Sequence, residues 1–180
     1  MKREDINQLL QRLNEKLSDE GVTRELVVCG GAALLLSNYE REETMDVDML
    51  RPDKDEVLQR LSKLVAEETG IARPDWLNSH SSVFFRENPL PKGWEGRLRS
   101  GFRASHLEVK VLAPKDILFT KICAHIDREM DEQDIKVLAP TKEIFEEAVL
   151  QVTRLPQYRS EMTTVSLDVL RLKLGFADDE

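Results

Sequence analysis

Residues 27–50 read VVCGGAALLLSNYEREETMDVDML, and the rest of the chain is built around them. A short apolar run ends at the glycine pair Gly30-Gly31, and an apolar segment long enough for two helical turns follows. Residues 38–44 are too polar for a core element and read as a turn. A second strand then carries Asp46 and Asp48, separated by Val47 and flanked by Met45 and Met49. Side chains alternate along a strand, so both carboxylates project to one face. Carboxylates held side by side repel each other unless a cation sits between them, and hard cations such as Mg²⁺ take oxygen ligands of this kind. Gly30 and Gly31 offer backbone N–H groups that an anion can approach closely where a helix begins. A phosphate cradle beside paired carboxylates points to chemistry on a nucleotide.

The same residues carry a resemblance. Gly30-Gly31-x-Ala33, followed by Arg41, Thr44, Asp46 and Asp48, resembles the signature of the nucleotidyltransferase superfamily, with spacing closest to the branch of AbiEii-like toxins. Gly-Gly stands where the wider superfamily has Gly-Ser, which suits that branch and removes a phosphate-binding hydroxyl. Further on, Pro74-Asp75-Trp76-Leu77-Asn78 and the series Lys121, Asp127, Arg128, Asp131, Asp134 resemble a bacterial family of unknown function in the same branch. The resemblance spans residues 26–138. It implies a nucleotidyltransferase-like fold, an NTP as substrate and Mg²⁺ (or Mn²⁺) as cofactor. It further implies a place in a toxin–antitoxin or defence pair, with tRNA or protein as acceptor and a small cognate partner protein. A small-molecule acceptor stays open.

Bulk properties bound the rest. With 180 residues, the chain is expected to form one core, residues 1–139, and a C-terminal helical extension, 140–180, packed on it. Hydrophobic residues at 41% and charged residues at 33% suit a soluble protein with a core. A net charge of -8 excludes a uniformly nucleic-acid-binding surface. Between residues 86 and 121, however, Arg86, Lys92, Arg97, Arg99, Arg103, Lys110, Lys115 and Lys121 outnumber the acids. Such a stretch meets a triphosphate, an RNA backbone or simply solvent. Cys29 and Cys123 lie in apolar surroundings and read as buried free thiols of a reducing compartment. There is no apolar leader or bilayer-length run, so a cytoplasmic protein with no membrane partner is expected.

The expected fold is α/β (or α+β), a small mixed sheet flanked by helices with a helical C-terminal part. Residues 2–20 form an amphipathic helix on Ile6, Leu9, Leu10, Leu13 and Leu17, stopped by Gly21. Strands follow at 25–29 and 46–50. Asp53 with Glu56 reads as a capping box for a helix to residue 68, with Val57, Leu58, Leu61, Leu64 and Val65 buried and Gly70 ending it. Val83-Phe84-Phe85 reads as a strand, residues 90–101 as an exposed loop, and 106–112 as a strand with Glu108 and Lys110 on its polar face. Pro114 opens a helix to residue 126, with helices after it near 134–138, 144–152 and 167–174. The acidic end Asp178-Asp179-Glu180 is expected to fray.

In nucleotidyl transfer the acceptor attacks the α-phosphorus and pyrophosphate leaves. The reaction asks for positioning and charge neutralisation, which two metal ions about 4 Å apart supply. Asp46 and Asp48 are the expected metal ligands, and Glu108 the expected third carboxylate, as ligand or proton acceptor. Arg41 and Thr44 add a cation and a hydroxyl beside Gly30 and Gly31. Lys121 sits mid-helix among apolar residues. The resemblance implies that it reaches the triphosphate; snorkelling to solvent is the other reading. Trp76 and Asn78 read either as pocket-lining residues, with Trp76 stacking a base, or as a core tryptophan with a loop-fixing asparagine. Three histidines, His80, His106 and His125, have no zinc-like spacing. The alternative to an enzyme is a non-catalytic binding or regulatory protein of the same fold.

Overall fold

The computed structural model describes residues 1–176, and the acidic end Asp178-Asp179-Glu180 lies outside the described residues. The chain divides into two compact units. One comprises Met1–Glu87 and Gly93–Ala113, the other Asn88–Lys92 and the chain from Pro114 onward. That division precedes the one expected after residue 139. Its cause lies inside the second unit, where the helix opened by Pro114 packs on the helices that follow it.

In the first unit, helix α1 (Arg3–Asp19) buries Ile6, Leu9, Leu10, Leu13 and Leu17 completely, the stripe expected from its period. Strand β1 (Arg24–Cys29) leads directly into α2 (Gly30–Leu36). Asn38 ends that helix in the left-handed region, φ 65°, a conformation asparagine tolerates. Strand β2 (Val47–Arg51) buries Val47 and Met49 and leaves Asp48 half-buried between them.

Helix α3 (Glu56–Thr69) is capped by Asp55, whose side chain accepts from the Leu58 N–H, so Asp53 is not its cap. Its stripe is Leu58, Leu61, Ser62, Val65 and Ala66, while Leu64 faces outward. Gly70 ends α3 at φ 63°.

Strand β3 is only Leu77–Asn78. The Val83-Phe84-Phe85 segment is not a strand but the single turn of α4 (Ser82–Glu87). There the N–H groups of Ser82 and Phe85 find acceptors in Ser79 and Ser81, local bonds that compete with a ladder. The expected loop at 90–101 runs into strand β4 (Arg99–Arg103), which pairs antiparallel with β5 (Leu107–Val111).

The five strands form one mixed sheet in the order β3-β2-β1-β5-β4, with β1 antiparallel to β2 and parallel to β5. The mixed α/β architecture with flanking helices agrees with the expectation. Helix α1 contacts α2, α3 and β5, and buried Asn14 accepts the His106 N–H at 2.8 Å, tying α1 to the start of β5.

The second unit is helical: α5 (Pro114–Arg128), α6 (Glu132–Leu138), α7 (Lys142–Thr153) and α8 (Glu161–Leu174). Helix α5 contacts each of the other three. Thr141 and Ser160 cap α7 and α8 through their side chains. Phe145, Val149, Val152, Leu167 and Leu170 fill the interior. Cys29 and Cys123 are both buried and neither is in a disulfide, as expected. Among the described residues no helix is long and apolar enough to cross a membrane.

Candidate functional site

Strand pairing places Asp48 between two neighbours: Cys29 across from it on β1 and Asn78 across from it on β3. Directly paired residues project to the same face of a sheet. Asp46 lies one residue ahead of the ladder, and two hydrogen bonds hold it. Buried Thr44 donates its hydroxyl to the Asp46 carbonyl at 3.2 Å, and Asn78 Nδ2 donates to Asp46 Oδ2 at 3.3 Å. The turn before the pair is fastened by the Thr44 N–H on the Met1 carbonyl at 2.9 Å and by Arg41 Nε on the Glu43 carbonyl at 2.9 Å.

The glycines open α2 beside these groups. Gly30 has φ +67°, and a Cβ there would stand 3.0 Å from Asp48 Oδ2. A Cβ on Gly31 would stand 2.9 Å from Arg41 Cζ and Nε and 2.9 Å from Thr44 Oγ1. Each glycine is therefore needed for a close approach, one by a carboxylate and the other by a guanidinium and a hydroxyl. Gly30, Gly31, Arg41, Thr44, Asp46 and Asp48 form a single cluster.

Glu108 does not join that cluster. It pairs with Glu25 on β1, whereas Asp48 pairs with Cys29, four residues further along the strand. At about 3.3 Å per residue this puts them roughly 13 Å apart along the strand direction. Alternation named the correct face and the wrong end of the sheet. There Glu108 accepts from Arg103 at 2.5 Å while Lys110 donates to Glu25 at 2.8 Å, a solvated set of charges. Among the described residues no group of three or more His, Cys, Asp and Glu side chains is placed to hold a metal ion.

Lys121 belongs to the second unit, and its ammonium is held at 2.6 Å by both Asp131 and Asp134. All three side chains are largely buried, and the ion pair ties α6 to α5. Trp76 is fully buried and donates its indole N–H to the Ser62 carbonyl at 2.9 Å; it is a core residue, closed to base stacking. The basic stretch is partly neutralised: Arg86 meets Asp53, Arg103 meets Glu108 and Lys110 meets Glu25.

A cavity of about 310 Å³ lies beside α3 and β3, with Met49, Leu58 and Leu77 in its wall. Asp75, Asn78, Ser79 and His80 also line it. The residue that sequence reasoning undervalued is Asn78. A buried amide two residues after a buried tryptophan was the available signal, but its partner Asp46 is 32 residues away.

The family model described as "Nucleotidyltransferase of unknown function (DUF6036)" matches residues 4–168, and the chain belongs to that family. Neither a curated protein nor a solved structure matches it.

Proposed function

From membership of this nucleotidyltransferase family, we propose that the protein is a Mg²⁺- (or Mn²⁺-) dependent enzyme that transfers a nucleotide from an NTP to an acceptor. One observation carries the proposal: Asp48 and Arg41 converge on the two glycines that open α2, with Asp46 anchored beside them. A pair of carboxylates suits Mg²⁺, which binds through one or two carboxylates and fills its shell with water and substrate phosphate oxygens. When bound, the metal would neutralise phosphate charge and polarise the reacting phosphoryl group.

The chain's own groups do the positioning. Asp46 and Asp48 would hold the ion. Arg41, seated over Gly31, supplies a cation for the phosphates. Thr44 fixes the turn through the Asp46 carbonyl rather than reaching outward. No general base is assigned in the first unit, because Glu108 lies at the other end of the sheet. The AbiEii-like resemblance supports tRNA or protein as acceptor, within a toxin–antitoxin pair that includes a small partner protein. The second reading is a non-catalytic binding or regulatory protein of the same fold; among the described residues no group of three or more His, Cys, Asp and Glu side chains is placed to hold a metal ion.

Calorimetric titration with each NTP, with and without Mg²⁺, tests the proposal on the wild type and on the Asp46→Asn/Asp48→Asn variant. Magnesium-dependent binding should fall at least about tenfold in the variant. Its melting temperature should stay level or rise, since removing two adjacent like charges relieves repulsion. Equal binding by both proteins would remove the metal site. Transfer of label from α-labelled NTP to total RNA or protein then separates the enzyme from the regulator.

A further inference from the structure

We propose that Asn78 is a positioning residue: its amide orients the Asp46 carboxylate and thereby sets the cation affinity of the Asp46–Asp48 pair. This rests on the metal-dependent reading above. Asp46 precedes β2, so no strand ladder holds its backbone, and its side chain needs an outside partner. Asn78 supplies one from the edge strand β3, in register with Asp48 and buried to 8% exposure.

Which end of the amide faces Asp46 is fixed by chemistry. The His80 N–H, which can only donate, lies 2.9 Å from Asn78 Oδ1. That end is therefore the oxygen, and the NH₂ group must face outward from it. It donates to Asp46 Oδ2 at 3.3 Å and to the Asp75 carbonyl at 3.4 Å. With Oδ2 held by the amide, the orientation of the Asp46 carboxylate is set. A neutral amide orients the carboxylate without cancelling its charge, as a lysine or arginine in the same place would. The partners that steady metal-binding carboxylates typically change affinity 10–100-fold when removed.

Two substitutions separate orientation from folding. Asn78→Ser keeps a side-chain oxygen that can accept the N–H two residues on, as serine does in such turns, but it is too short to reach Asp46. Asn78→Ala removes all three bonds. Mn²⁺ binding to the intact protein, followed by electron paramagnetic resonance, is the readout. Both variants should bind Mn²⁺ about tenfold more weakly than wild type, and Asn78→Ser should melt near the wild-type temperature.

The double-mutant cycle identifies the route. Adding Asn78→Ser to Asp46→Asn should cost nothing further, whereas adding it to Asp48→Asn should still lower affinity. Wild-type Mn²⁺ affinity in Asn78→Ser, or equal losses in both backgrounds, would overturn the proposal while leaving the metal site standing. Failure of wild type itself to bind Mn²⁺, or indifference to Asp46→Asn and Asp48→Asn together, would overturn the metal-dependent reading and this one with it.

Discussion

Gly30 and Gly31 are adjacent, yet their substitution should have opposite consequences. Gly30 sits at φ +67°, where an L side chain costs about 1–2 kcal/mol, and its Cβ would press on Asp48. Gly31 carries no such backbone demand, and alanine is favoured over glycine in a helix by up to about 1 kcal/mol. Its Cβ would instead displace the guanidinium of Arg41 and crowd the Thr44 hydroxyl. Gly30→Ala should therefore lower unfolding stability by about 1–2 kcal/mol. Gly31→Ala should leave stability within about 1 kcal/mol of wild type and still weaken NTP binding by moving Arg41. Urea denaturation and nucleotide titration of the two variants decide this; equal destabilisation would refute the distinction. The glycine pair was legible in the sequence as a place of close approach. Arg41 and Thr44 were expected beside it; which of the two glycines they meet was not legible, because they return to Gly31 through a turn whose path no local pattern specifies.

At the level of elements, the sequence was informative wherever period and burial agree. The α1 stripe, the Asp48 alternation and the β5 alternation all reappear in the structure. Strand β4 was missed because it carries Gly101 in a bulge beside Arg99 and Ser100, with a Cβ there only 2.8 Å from Val111 Cγ1. Its shape depends on its partner strand and leaves little hydrophobic alternation to read. The start of α3 shows how two acids close together confuse a capping pattern. Asp53 meets the expected spacing, but Asp55 accepts the Leu58 N–H at 2.9 Å and also pairs with Arg24 at 2.6 Å. Asp55→Ala should cost about 1–2 kcal/mol. Asp53→Ala loses only an exposed contact with Arg86 at 3.7 Å and should stay within about 0.5 kcal/mol. Thermal melts of the two single variants are the check; a larger loss at Asp53 would return the cap to the sequence-based position.

On the scale of the whole molecule, alternation gives the face a side chain occupies but not its height along the sheet. Glu108 shows the difference, for its register with Glu25 follows from a parallel pairing between segments more than eighty residues apart. Long-range pairing of that kind has no local signal, and neither does the hydrogen-bonded chain buried in the second unit. There Tyr158 donates its hydroxyl to Asp127 Oδ2 at 2.8 Å, and the Cys123 thiol lies beside it. Burial pushes the Cys123 thiol up from its ordinary 9.0 to about 12, and burial followed by the Asp127 bond pushes Tyr158 upward as well. Both groups stay neutral in the folded chain and ionise more readily when it unfolds. The stabilisation is fully present below about pH 9 and is lost as pH rises toward 12. For Cys123 the slope approaches about 1.4 kcal/mol per pH unit within that window. Urea unfolding at pH 8 and pH 10.5 should show wild type losing stability between the two. Cys123→Ala should start lower, from the small cavity it leaves, but should lose distinctly less on going alkaline. An equal alkaline loss in wild type and Cys123→Ala would mean that the thiol already ionises in the folded protein.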